Sequence, residues 1–460
     1  MKKSNNTFLD GPILPSLLRF ALPVLFALIL QALYGAVDLW AVGKFATTAD
    51  ISAVATGSQT MQIITGIVTG LSMGTTVLLG QKVGHKDNEG AAQTIGTSIK
   101  IFAALGVVLS IIMILSARPI ARVMNAPEEA FTQTVRYIQI CGGGSLCIVA
   151  YNLLSAIFRG MGDSKSPLIF VSIACVTNIV GDITLIDVFH MGAVGAAIAT
   201  VAAQAVSVIL SLVLIKKKGL PFPFTKSHLL FHRNTAAGVI KLGSPIALQD
   251  MCNEVSYLII IGLVNMLGVT ASAGVGIAEK LVIFILLIPM SYMQSISAFV
   301  AQNVGAEQYE RAKKAMWTGM GTAAILGGIM AYVSFFHGDT LSMIFIKDAA
   351  AADAGAVIEA SAKFLKATSI ECFILSVAYC LTGYFNGLGK TTFVMIQGLC
   401  AIFLVKIPYA WFASRQPDPQ LFQIGLSTAF AAIFTLIVCF IYFFLCAGKS
   451  KAQEQKGELT

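Results

Sequence analysis

The chain has 460 residues, of which 56% are hydrophobic and only 12% are charged, and its mean hydropathy is +0.80. Soluble domains are about one quarter charged, so this composition excludes an ordinary soluble protein and indicates a protein of the lipid bilayer. The net charge of +8 does not indicate a nucleic-acid partner, because the basic residues lie mainly in alternate short connections, which share one side of the membrane.

Twelve hydrophobic stretches are long enough to span a membrane. In chain order they cover residues 14–41, 53–80, 93–117, 133–158, 166–188, 191–215, 236–266, 273–302, 315–336, 358–385, 391–413 and 421–446. Only helices or closed barrels satisfy the backbone in lipid, and barrel strands would alternate over about ten residues. We therefore predict an all-α polytopic membrane protein with twelve transmembrane helices in two six-helix lobes.

Lysine and arginine are distributed unevenly between the two sets of connections. Eighteen lie in the connections and tails of one side, and five lie on the other side. Because positively charged connections stay in the cytoplasm, we expect both termini to be cytoplasmic. The short tails and compact connections suit a bacterium, so the predicted location is the bacterial inner (cell) membrane.

The two halves of the chain resemble each other. Pro23 recurs as Pro245 after 222 residues, GQKVGHKDNEGA recurs as AQNVGAEQYERA after 221, and RGMGDSKS recurs as NGLGKTTF after 227. These offsets indicate a duplication of six helices, and transporters built from repeats bind their substrates near the repeat interface. The predicted organisation is an N-lobe over 1–215, a cytoplasmic linker over 216–235, a C-lobe over 236–446 and a cytoplasmic tail over 447–460.

Four polar side chains lie within these apolar stretches at similar predicted depths. Asn178 and Asp182 are four residues apart in SPLIFVSIACVTNIVGDITLI, so they point from one face of helix 5. Asp38 lies near the outer end of helix 1, and Thr200 lies in the outer half of helix 6. Their oxygens can surround a cation, and two close carboxylates can instead share a proton. The alternative is that both aspartates reach water at the membrane surface.

The ordered motifs resemble those of a known transporter family. The duplicated six-helix layout, GQKVG and AQNVG after helices 2 and 8, RGMGDSKSP before helix 5 and N-x3-D within it resemble the MATE (multidrug and toxic compound extrusion) transporters. Because the buried acids concentrate in the N-terminal half, the chain is most similar to the bacterial DinF-like branch. The resemblance implies that Asp38, Asn178, Asp182 and Thr200 form an N-lobe coupling site for H+ or Na+.

A further set of polar residues marks a candidate substrate cavity. Gln31, Tyr34 and Asp38 form one polar stripe along helix 1. With Tyr137 and Asn152 of helix 4 they are predicted to line an N-lobe cavity, which the family resemblance also implies. The alternative is ordinary hydrogen bonding between neighbouring helices.

Pro23 lies inside the first hydrophobic stretch. Proline removes a backbone hydrogen bond and permits a helix to bend. In the family, bending of this helix is linked to cation binding, so the resemblance implies a helix-bending role for Pro23.

The C-terminal half does not repeat the four-residue site. At an offset of 227, Asn178 and Asp182 correspond to Val405 and Tyr409. This half carries other ionisable residues in its apolar stretches, namely Asp250, Glu254, Glu371 and Lys406. We predict that Glu254 attracts a cationic substrate, and the alternative is a structural pair with Lys406.

The motifs indicate no enzymatic active site and no cofactor. GYFNGLGKTT resembles a phosphate-binding loop, but Tyr384 stands where that motif needs glycine. HExxH and GxSxG motifs are missing from the sequence, and the nine cysteines form no CxxC pair. We therefore expect an ion gradient, rather than ATP, to supply the energy.

We predict a monomeric, cation-coupled multidrug efflux antiporter that exports small organic cations by alternating access, in exchange for H+ or Na+. Two alternatives stay open. A flippase for lipid-linked precursors shares the wider superfamily architecture, but several basic residues within its helices would be expected to bind phosphate. An ion channel would not need a duplicated rocking body.

Overall fold

The structure is a computed structural model that describes residues 7–344 and 354–457. Within those residues every regular element is a helix, and most of the helices are long and joined by short turns. Lipid leaves no water to satisfy backbone groups, so a chain this apolar satisfies them within its helices. The predicted all-α fold class is confirmed.

The spanning segments follow one another along the chain, and we number them α1 to α12. They are α1 Ile13–Phe45, α2 Thr48–Gly84, α3 Asn88–Val123, α4 Glu128–Gly143 with Ser145–Gly160, α5 Lys165–Val188, α6 Gly192–Lys218, α7 Arg233–Asn265, α8 Val269–Gly305, α9 Tyr309–Phe336, α10 Ala354–Gly387, α11 Thr391–Ser414 and α12 Leu421–Gly457. Over the described residues eleven qualify as single spans, and α4 is the twelfth if its two halves count as one. Each segment overlaps one of the predicted hydrophobic stretches, and several helices extend beyond them, as α12 does to Gly457.

The fourth span is broken at Gly144. Its two halves meet at an angle of 48°. The break lies at the end of the run Cys141–Gly144, which contains three consecutive glycines. Each glycine in a helix interior lowers helix stability by roughly 0.5–1 kcal/mol relative to alanine. Gly144 also packs against Val201 of α6, where a Cβ atom would overlap the valine side chain. Apolar residues continue across the break, which is why the hydrophobic pattern predicts a single span.

Two spanning helices contain a π-helical turn. In α5 the turn covers Ile183–Val188, and in α11 it covers Ala401–Lys406. A π-helical turn widens the backbone and is frequent at functional sites. The turn of α5 begins directly after Asp182, and the turn of α11 ends at Lys406, so each adjoins a buried ionisable side chain.

The described part of the first compact unit comprises residues 7–251 and 301–309. In this unit α1 packs on α5, α5 packs on α6, and α2 lies against both halves of α4. One apolar core contains Val54, Ile138 and Ile186, and another contains Leu79 and Phe102. The contacts of α5 with both α1 and α6 position the candidate site.

The predicted linker docks onto α3 in the same unit. Phe222 is buried in the core that contains Phe102. The Thr225 backbone N–H donates to His228 Nδ1 at 2.9 Å, and His228 Nε2 lies 2.9 Å from a Glu89 carboxylate oxygen. The burial of Phe222 and the polar contacts of His228 therefore hold this segment against α3.

The described part of the second unit comprises residues 252–300, 310–344 and 354–457. Here α10 packs against α12, and one apolar core contains Ile260, Val282 and Phe364. The rings of Phe393 and Tyr442 are stacked with centroids 3.8 Å apart. The lobe limits drawn from the sequence stay a prediction.

The repeated glycine motifs pack against each other in the first unit. A Cβ atom on Gly84 would overlap the Gln302 carbonyl oxygen, and one on Gly305 would overlap the Gln81 carbonyl oxygen. The Gln302 side-chain amide also donates to the Gly160 carbonyl at 2.8 Å. GQKVG and AQNVG therefore form a reciprocal backbone contact that only glycine permits.

We expect Gly84→Ala to lower the thermal stability of the protein, because the new methyl group must displace backbone rather than a flexible side chain. Overpacking of this kind costs roughly 1–3 kcal/mol. Thermal unfolding in detergent measures the effect. Gly66→Ala is the matched control on α2, since its Cβ atom would meet nothing within 4 Å. Equal melting temperatures for the two variants would contradict the close packing.

Candidate functional site

The structure brings the four predicted coupling residues together inside the first unit. Asp38 comes from α1, Asn178 and Asp182 come from α5, and Thr200 comes from α6. Asp38 is 3% exposed, and Asn178 and Asp182 are fully buried. These side chains therefore do not reach water at a helix end, as the alternative interpretation would require.

Local helix geometry explains why these residues meet. Asn178 and Asp182 lie one turn apart on α5, so both side chains leave the same face. That helix packs on α1 and on α6, which carry Asp38 and Thr200. Asp182 is the last residue before the π-helical turn of α5, so the regular helix ends at the site.

The polar contacts within the site are few. The Thr200 hydroxyl donates to Asp38 Oδ2 at 3.1 Å, and the carboxyl groups of Asp38 and Asp182 interact electrostatically. Five buried polar atoms have no hydrogen-bond partner among the described residues: Asp38 Oδ1, both carboxyl oxygens of Asp182, and the side-chain oxygen and nitrogen of Asn178.

The buried atoms of this cluster need compensation. A buried polar atom without a partner costs about 1–3 kcal/mol, and a buried carboxylate without a counter-charge costs more. The unpartnered oxygens of Asp38, Asn178 and Asp182 are hard ligands of the kind that alkali and alkaline-earth cations prefer. A single proton held between the two carboxyl groups would also remove most of the unfavourable charge.

Two of the predicted cavity residues lie on α1, the helix that carries Asp38. The Tyr34 hydroxyl donates to the Thr200 backbone carbonyl at 3.0 Å. The Gln31 side-chain amide donates to the Tyr151 hydroxyl at 3.0 Å. These contacts tie the polar stripe of α1 to α6 and to the second half of α4.

The other two predicted cavity residues make interhelical contacts with α2. The Tyr137 hydroxyl lies 3.1 Å from the Ser58 hydroxyl, and the Tyr137 ring packs against Gly57. Asn152 accepts from the Thr69 hydroxyl at 3.1 Å and donates to the Ile148 carbonyl at 2.9 Å. Both side chains have the partners that ordinary helix packing requires, and their role in substrate binding stays a prediction.

Pro23 lies in the interior of α1, which continues without interruption from Ile13 to Phe45. Its missing N–H leaves the carbonyl of Arg19 without the usual helical partner. The helix therefore has a weak point between its first turns and the segment that carries Gln31, Tyr34 and Asp38.

The second unit contains a different ionisable cluster. Glu254 is exposed, Glu371 is partly buried, and Lys406 is buried and donates to the Ser256 hydroxyl at 2.9 Å. The sequence reasoning missed Glu279 of α8, whose Oε1 is buried without a hydrogen-bond partner among the described residues. The signal was present, because Glu279 is an acid within an apolar stretch just as Asp182 is.

Comparison with known families matches most of the chain. The MatE family model matches residues 23–184 and 245–412, so its two matches begin at Pro23 and at the corresponding Pro245. This match spans both halves of the chain and includes Asp38, Asn178 and Asp182.

Related proteins align over nearly the whole length. The chain is 23% identical to "Probable multidrug resistance protein YoeA" of Bacillus subtilis, covering 93% of this chain and 92% of that protein. It is 24% identical to "Probable multidrug resistance protein NorM" of Thermotoga maritima, covering 92% and 89%. It is 22% identical to "Multidrug export protein MepA" of Staphylococcus saprophyticus, covering 86% and 87%.

Solved structures share the fold. A structure described as the outward-facing conformation of a multidrug resistance MATE family transporter of the MOP superfamily has a TM-score of 0.89 at 19% identity, covering 98% of this chain and all of that one. A crystal structure of a MATE protein in the straight conformation has a TM-score of 0.86 at 18% identity, covering 98% of both chains. The family match, the duplicated helices and the shared fold together show that this chain belongs to the MATE family of membrane transporters.

Proposed function

We propose that this protein is a multidrug efflux antiporter that exports small organic cations in exchange for H+ or Na+. The names of its relatives support a role in drug export, since several are described as multidrug resistance or multidrug export proteins. The proposal places it in a bacterial inner membrane with both termini in the cytoplasm, because lysine and arginine are concentrated in the connections and tails of that side.

One observation carries the coupling part of the proposal. Asp38, Asn178 and Asp182 place five buried polar atoms together without partners from the described chain. Buried polar atoms are normally hydrogen-bonded to protein, to ordered water or to a ligand. The clustered oxygens and the charge of the two carboxyl groups suit H+ or Na+ and support a coupling cation at this site.

The coupling follows from differential binding. A cation bound at Asp38 and Asp182 neutralises the cluster, so it stabilises whichever arrangement of the helices surrounds the site closely. Release of that cation to the cytoplasm restores the uncompensated charge and favours the other arrangement. Each positive charge that moves inward through 100 mV supplies about 2.3 kcal/mol, and the outward movement of a monovalent cationic substrate costs the same amount. Uphill export of such a substrate therefore needs the concentration gradient of the coupling ion or more than one ion per substrate.

We expect Asp182→Asn to slow gradient-driven transport strongly while leaving the fold intact, because an amide keeps the size of the carboxyl group but cannot carry its charge. Purified protein in liposomes would be tested with a fluorescent cationic dye, under an imposed proton gradient and then under a sodium gradient. The expected loss in initial rate is about tenfold or more, which corresponds to at least about 1.4 kcal/mol.

Asp187→Asn is the matched control for this experiment. Asp187 lies on the same helix in the π-helical turn, but it is exposed. It should transport dye at the wild-type rate. Transport that survives in Asp182→Asn would contradict the coupling site, and wild-type protein that moves no dye under either gradient would contradict the antiporter and redirect attention to a flippase.

We expect Pro23→Ala to raise the melting temperature and slow transport. The substitution restores a backbone hydrogen bond in α1, where a proline in a helix interior costs about 3 kcal/mol. A stiffer α1 should hinder the movement of the segment that carries Asp38. Dye transport and thermal unfolding measured on the same preparation test both parts.

Pro15→Ala is the control for the proline experiment, since Pro15 lies in the first turn of α1, where a helix has no N–H bond to lose. It should change neither property. Unaltered transport in Pro23→Ala would remove the bending role.

A further inference from the structure

The second unit contains a buried lysine that the proposed transport cycle does not use. Lys406 lies at the end of the π-helical turn of α11 and is 8% exposed. Its ammonium donates to the Ser256 hydroxyl at 2.9 Å and lies 5.8 Å from the centroid of the Tyr257 ring. Ser256 donates its own proton to the Asn253 carbonyl at 2.7 Å, so its oxygen is free to accept from the lysine.

Acidic side chains from three other helices lie in the same region as this lysine. Glu371 of α10 and Glu254 of α7 both interact electrostatically with the Lys406 ammonium. Glu279 of α8 interacts with the Tyr257 hydroxyl, and the ring of Tyr257 lies near the Lys406 ammonium. Three acids and one base therefore share one region of the second unit.

The energetic role of the lysine follows from its surroundings. Burial of a charge in an apolar environment costs several kcal/mol unless an opposite charge compensates it. The ammonium supplies that compensation to the partly buried Glu371, and in turn it needs acidic neighbours for its own burial. Removing the lysine alone would leave an acidic cluster with an excess negative charge.

The first unit solves the same problem differently. The interactions of Asp38 and Asp182 with described residues involve each other, Asn178 and Thr200, and none of these partners is basic. A cation for that cluster would come from outside the described residues. In the cluster of the second unit the cation is the ammonium group of Lys406, which is part of the chain itself.

We propose that Lys406 is a tethered counter-cation, so that the acidic cluster of the second unit takes no exogenous coupling ion. Ion exchange would then be confined to Asp38 and Asp182. This last step rests on the proposed function, whereas the charge-compensating role of Lys406 does not. Truncation of the lysine should create a site for a small monovalent amine between Ser256, Tyr257 and Glu371.

Chemical rescue tests this inference on the purified full chain. Lys406→Ala should lower the melting temperature in detergent, and methylammonium chloride should restore part of the loss, because the small cation fits the space that the side chain vacated. Choline chloride at the same ionic strength should not restore it, because choline is too large. Lys406→Met should be destabilised and should not respond to methylammonium, since the methionine side chain fills the space.

Lys366→Ala provides the matched control, because Lys366 lies on α10 but is exposed. Its melting temperature should not depend on methylammonium, and neither should that of the wild-type protein. Equal responses in Lys406→Ala and Lys366→Ala would overturn the inference.

A second variant decides the question if Lys406→Ala does not fold. Adding Glu371→Gln to Lys406→Met removes the uncompensated acid, so the double variant should melt higher than Lys406→Met alone. A double variant that is no more stable overturns the inference. These melting measurements do not involve transport. Wild-type protein that moves no dye would contradict the proposed function, and rescue of Lys406→Ala by methylammonium would still support the role of Lys406.

Discussion

An apolar interior gives a carboxylate no water and little dielectric screening, so its charge must be compensated within a few ångströms. This constraint governs both compact units of the molecule. In the first unit Asp38 and Asp182 lie together, and their interactions with described residues include no basic side chain. In the second unit Lys406 lies among Glu254 and Glu371, and the chain supplies its own cation. The two repeats thus use the same helical scaffold with opposite electrostatic outcomes.

The scaffold makes this contrast possible because it positions side chains with little help from loops. Asn178 and Asp182 are one helical turn apart, and α5 packs on the helices that carry Asp38 and Thr200. Small residues allow such helices to approach closely, as at Gly70 and Gly74 of α2, which contact the backbone of α7. Precision in the site therefore depends on helix packing.

Much of this organisation could be predicted from the sequence. Long apolar runs fix the number and positions of the spanning helices, and the i, i+4 spacing of Asn178 and Asp182 fixes their common face. The break at Gly144 was not predicted, because hydrophobic residues continue on both sides of it. The partners of Tyr137 and Asn152 lie on α2, far away in the chain, and no local pattern reveals them. Glu279 was missed although the rule that identified Asp182 applies to it.

The two π-helical turns also decide how the repeats can be compared. The loops before α5 and α11 correspond at an offset of 227, whereas the π-helical turns begin at Ile183 and Ala401, only 218 residues apart. A π-helical turn typically adds one residue to a helix, which rotates everything beyond it by about 100° relative to an uninterrupted α-helix. Val405 lies within the π-helical turn of α11 and Tyr409 lies after it, whereas Asn178 and Asp182 both lie before the π-helical turn of α5. Alignment of the two halves by sequence alone therefore equates positions in the regular helix of α5 with positions in or beyond the π-helical turn of α11.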